Sequence, residues 1–229
     1  MKKITRLSSA GAQLVRDALG GKWMLAFVIA CGMYYALMLV SNLTGGSDMI
    51  LGLVLILAQG FVTAESMILY QRKESRNVKH LSVFCLTGMI VMFLLFLFLG
   101  AVVPTLNMEY SAKTEEILQL WADAELSSGM PYMIATVVTI GLGGLTMLFL
   151  WKALGMSAAL MEHKGGLKNW FLPAAISLSL YTAMNLALTI LQPGNALNMA
   201  VALVSVVRDG LLTVLLAQTA MRCRAMLEG

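Results

Sequence analysis

An arginine and an aspartate, Arg208 and Asp209, stand side by side in the middle of an apolar run from Leu197 to Ala220. A charge at the centre of a bilayer costs about 2.5–3.5 kcal/mol on insertion scales, so such residues mark ion or substrate paths, gates, or ion pairs that fix packing. Neighbours in sequence point about 100° apart on a helix, which makes them poor direct partners for each other. Each is therefore expected to reach a partner on another helix or a water-filled cavity. Glu65 and Gln59 in an earlier apolar run and Asn185 in a later one supply such partners. A cluster of Glu65, Arg208 and Asp209 flanked by Gln59 and Asn185 would serve as a substrate path, an ion site or a gating network. The same residue types would also serve as an interhelical network that only holds helices together.

Known intramembrane catalysis needs other residues. A serine protease requires a histidine base at depth, yet His80 and His163 sit at the ends of apolar runs. An aspartyl protease requires two facing aspartates that share a proton, and only Asp209 is deep. There is no H-E-x-x-H motif, and no phosphate-binding glycine-rich loop with its lysine. Cys31 and Cys85 lie within apolar runs and Cys223 near the C-terminus, so neither a zinc ligand set nor an external disulfide is expected. The 18 methionines are scattered, as packing filler would be. We expect no enzymatic activity, no catalytic residue, no metal and no cofactor.

The elements that position these residues follow from hydropathy. The 229 residues are 59% hydrophobic and 12% charged, far from the balance of a soluble domain. Six segments are long and apolar enough to cross a bilayer: Trp23–Val40, Met49–Tyr70, Leu81–Val103, Met130–Trp151, Trp170–Leu191 and Leu197–Ala220. Runs such as GMIVMFLLFLFL from Gly88 are apolar on every face, which excludes the alternating strands of a membrane β-barrel. The expected fold is all-α, a polytopic membrane bundle of six transmembrane helices forming a single domain over 1–229.

With the N-terminus inside, fourteen of the sixteen lysines and arginines fall on the cytoplasmic side, and only Lys113 falls outside. Such a bias orients both termini to the cytoplasm. It also explains the net charge of +4 without nucleic acid. Residues 1–22 carry no continuous apolar core, so no cleavable signal is expected there. Ile4, Leu7, Leu14, Val15 and Leu19 share a helical face, which predicts an amphipathic helix on the cytoplasmic membrane surface with Arg6 and Arg16 toward lipid phosphates. Gly20–Gly21 would bend it into the first span. An external amphipathic loop is expected over 105–129, where Ile117, Leu118, Trp121 and Leu126 alternate with acidic residues. Gly141, Gly143 and Gly144 in the fourth span predict close helix packing. Residues 221–229 form a cytoplasmic tail.

The order of an N-terminal amphipathic segment (4–19), Ala64–Glu65, the basic stretch Gln71–Lys79 and Leu81–Ser82 resembles the permease subunits of type-2 ABC exporters, of the lantibiotic-immunity and antibiotic-resistance kind. The resemblance implies a membrane-embedded transporter component, a homo- or hetero-oligomer, and the short loops together with the membrane-proximal Asn42–Leu43–Thr44 sequon favour a bacterial cytoplasmic membrane. It implies an ATPase subunit docked at Arg72, Lys73, Arg76 and Lys79, within or beside a coupling helix. Two other readings stay open. One is a membrane scaffold whose Arg208 and Asp209 pair with another membrane subunit. The other is a secondary transporter or channel in which Glu65 and Asp209 handle protons or cations.

Overall fold

The computed structural model describes residues 2–44, 49–109, 129–164, 168–191 and 196–228, and all regular structure among them is helical. The helices are α1 (Lys2–Leu19), α2 (Lys22–Leu43), α3 (Met49–Arg72), α4 (Ser75–Glu109), α5 (Gly129–Met161), α6 (Phe171–Leu191) and α7 (Ala196–Glu228). The last six are long and apolar enough to cross a membrane. They match the six expected segments one for one. Several run past the apolar stretch that announced them: α4 begins at Ser75, six residues before Leu81, and α7 continues beyond Ala220 to Glu228. Hydropathy marks only the part of a helix that lipid requires, whereas backbone hydrogen bonding continues through the polar turns that follow.

Each spanning helix packs on its neighbours in sequence, and α7 returns to α2, so the six close a ring. The most extensive contact is α4 on α5, and the slightest in the ring is α3 on α4. Glycines allow the close approach. A Cβ at Gly143 would lie 3.2 Å from the Tyr181 ring, and one at Gly88 would lie 3.5 Å from the Met147 sulfur.

One end of the ring, the end that carries most of the basic residues, is closed by α1. Ala12, Leu14 and Val15 are buried there, and α1 packs on α5 and α7. The sequence assigned this apolar face to lipid; over its described side chains it lies instead on protein. The open end of a helix ring is itself an apolar surface, and α1 covers it. Gly20 and Gly21 form the bend to α2, as their freedom suggested. A Cβ at Gly20 would fall 2.6 Å from Lys73 Nζ, so the bend nests against the α3–α4 turn.

Two helices at this end terminate in the left-handed conformation. Lys73 (φ 51°) closes α3 by donating its N–H to Leu69 O. His163 (φ 56°) closes α5, with the His163 and Lys164 N–H groups donating to Leu160 O and Ala159 O. The second is the paired-bond cap that usually recruits glycine. The expected interfacial helix within 105–129, with its Trp121 anchor, lies for residues 110–128 outside the described residues. Residues 105–109, read as loop, continue α4.

Candidate functional site

The ring encloses a cavity of about 400 Å³. On α3 it is lined from Leu55 to Leu69, and on α2 from Met24 to Met38. At 1.5 Å per residue each stretch is about 21 Å long. The cavity is thus a long, narrow slot along the ring axis, stopped at one end by Val15, Ala18 and Leu19 of α1. Most of its wall is apolar, with Phe27, Leu150, Phe171 and Leu216 among the linings.

The charged part of the wall lies nearer the other end and is built on Arg208 and Asp209, both lining the cavity, while Ser66, Ser157 and Thr219 add hydroxyls nearer α1. Contrary to the expectation from helix geometry, the two pair directly. Arg208 Nη2 and Nε both donate to Asp209 Oδ1, at 2.7 and 2.8 Å. The arginine side chain is long enough to fold back across the 100° between them. The pair is well buried, at 18% and 10% side-chain exposure. Arg208 spends a further N–H on α3: its Nη1 donates to Gln59 Oε1 at 3.0 Å. Its guanidinium also lies 4.3 Å from the centre of the Tyr34 ring on α2. One arginine thereby links three helices through charge, hydrogen bond and ring face.

The geometry leaves two polar atoms over. Gln59 Nε2 and Thr146 Oγ1 are buried with no hydrogen-bond partner among the described residues, and both residues line the cavity. Arginine only donates, so Gln59 must turn its oxygen to Arg208 and its amide N–H groups elsewhere. The free donor is therefore a consequence of the Arg208 bond.

Glu65 does not join this group. Gln59 and Glu65 are six residues apart on α3, which places them about 9 Å apart along the axis and well over a quarter turn around it. Glu65 accepts from Asn77 Nδ2 at 2.7 Å and pairs with His80 Nδ1 at 2.9 Å, stitching α3 to the start of α4. Asn185 turns its amide back to Tyr181 O on its own helix. Ser205 likewise bonds Ala202 O, and Thr213 bonds Asp209 O. Of the expected cluster, the structure brings together Gln59, Arg208 and Asp209, and leaves Glu65 and Asn185 apart.

The basic stretch is not a loop. Only Lys73 and Glu74 separate α3 from α4, so no separate coupling helix exists there. Arg72, Lys73, Arg76 and Lys79 are all exposed. Lys79 is occupied by Glu162 at the end of α5, which also accepts from Ser75 Oγ at 3.0 Å and pairs with Lys164 at 3.4 Å. These donors hold the Glu162 carboxyl down at about 2, against an ordinary 4.5.

Sequence reasoning missed Tyr34, Thr146 and the partners of Glu65 and Glu162. The need of a buried arginine for a ring face or acceptors was the one available signal for Tyr34. Among the described residues no group of three or more His, Cys, Asp or Glu could hold a metal ion, and Cys31, Cys85 and Cys223 are free thiols. No family model, curated protein or solved structure matches this chain.

Proposed function

We propose that this chain is the substrate-holding membrane component of a transporter, oriented with its basic end in the cytoplasm of a bacterial cell. The observation that carries the reading is the slot inside the ring of a single chain, mostly apolar along its length and charged at one level. Ligand sites are concave and mostly apolar, with a few placed polar groups, and occupy about 300–1,000 Å³. Arg208 and Asp209 satisfy each other within the chain, which weighs against a scaffold that needs their charges for a partner span.

Energy on this reading comes from a separate ATPase docked on the exposed Arg72, Lys73 and Arg76 at the α3–α4 turn. A completed slot within one ring favours a second reading, a self-sufficient carrier. Purification of the tagged chain in mild detergent, with partners identified by mass spectrometry, separates the two. The first predicts a stoichiometric ATPase that is lost from Arg76→Glu. A chain that purifies without one and moves solute across proteoliposomes along an ion gradient would overturn the ATPase and leave the carrier.

A further inference from the structure

We infer that the slot takes an elongated apolar molecule bearing a single uncharged hydrogen-bond acceptor, a carbonyl-type oxygen, near one end, and that Gln59 Nε2 is the group that receives it. The inference rests on the transport reading above and specifies its substrate. Three observations carry it. First, the shape: a cavity of about 400 Å³ drawn out over about 21 Å is a slot one chain wide. Second, the head: Gln59 is 9% exposed and lines the cavity, and its amide nitrogen has no partner and no surface open to water, so an acceptor meets it once the side chains beside it give way. A buried donor left unmade is costly, and a ligand acceptor relieves it. Third, the charge: Arg208 is neutralised by Asp209, so the polar level presents donors without net charge. A carboxylate or ammonium head would enter with no counter-ion of its own, whereas a neutral acceptor needs none. Between Gln59 and the α1 stop the wall is mostly apolar, from Leu69 on α3 to Leu215 and Leu216 on α7. Ser66, Ser157 and Thr219 are set in it, and the Ser157 and Thr219 hydroxyls donate to Ala153 O and Leu215 O of their own helices, which leaves a bed for an apolar tail.

The test is a competition read by native mass spectrometry of the full chain in detergent. Methyl undecyl ketone and its perdeuterated isostere, the hydrocarbon in which an isopropyl group replaces the acetyl group, are supplied in equal amounts, the deuterium label separating two adducts that otherwise share one nominal mass. Wild type should carry the ketone over the hydrocarbon by about tenfold, the worth of one buried hydrogen bond. In Gln59→Glu the carboxylate still accepts from Arg208 Nη1 but presents an oxygen where the donor was, and the preference should fall to about one. Equal adducts in wild type overturn the inference, and that arm needs no variant to fold. An unchanged preference in Gln59→Glu overturns the assignment to Gln59. A preference for laurate over the ketone in a third competition overturns the uncharged head. The spectrum before any probe is added reads the source of the natural molecule. An adduct of lipid mass places it in the bilayer, and a bare chain that takes the ketone places it in solution. Failure of ATPase co-purification and of transport would sink the reading above while leaving this binding result intact.

Discussion

The two halves of the ring are built differently. On α2 the buried residues are Met24, Phe27, Ala30 and Cys31, with none beyond Cys31. On α7 they are Asp209, Leu216, Thr219, Ala220 and Cys223, with none before Asp209. The half nearer the basic end is a packed core, joined by Glu65 to Asn77, Ser82 to Trp151 O and Asn169 to Ala220 O. The far half is made of helices whose large apolar side chains face outward, such as Leu57, Phe93 and Leu203, each more than half exposed. In lipid such faces lose nothing, because hydrocarbon is as good a neighbour as another leucine. The lesson is that this bundle is held from one end. Arg208, Asp209 and Gln59 sit at the boundary, where the last packed layer meets the open half.

That contrast can be broken by experiment. The largest effect is expected from Asp209→Ala, which strips Arg208 of its counter-charge in a buried site. Removing one member of a buried pair costs about 3–5 kcal/mol, and thermal unfolding in detergent should show it as a marked drop in melting temperature. Next comes a paired comparison. Leu160→Ala, at a fully buried position, should cost about 2–5 kcal/mol. Leu203→Ala in the far half should cost under about 0.5 kcal/mol. Equal losses would abolish the distinction between the halves.

A smaller gain is expected from His163→Gly. It relieves a left-handed residue at the α5 cap and should stabilise by about 1 kcal/mol. The smallest effect is a pH dependence confined to the basic end. The Glu162 carboxyl is held near 2 in the folded chain by Lys79 and Ser75, with Lys164 beside it. Its contribution is complete above pH 4.5 and is lost as the pH falls toward 2. Protection against hydrogen exchange at the start of α4, corrected for the intrinsic pH dependence of exchange, should fall through that window, and Glu162→Gln should flatten the change.

The six spans and the bend at Gly20–Gly21 were legible in the sequence because lipid imposes a length and a composition on every crossing helix. The ring was not, since apolarity on all faces says nothing about which face meets which neighbour. Of the site, Arg208, Asp209 and Gln59 were legible as types, because charge and amide in an apolar run demand an explanation. Their pairing was not, because it depends on how far an arginine side chain can fold back. Glu65 was placed with them on depth alone, while its position around α3 assigns it to Asn77 and His80. Thr146 gave no signal, for a threonine in a span ordinarily bonds its own helix.

The closure by α1 also fixes an order of events in biogenesis. α1 leaves the ribosome well before the helices it packs on, which begin at Gly129 and Ala196. The docking site for α1 is incomplete until α7 has been made. α1 must wait while α2 to α7 are made, and its docking is the step that seals the ring.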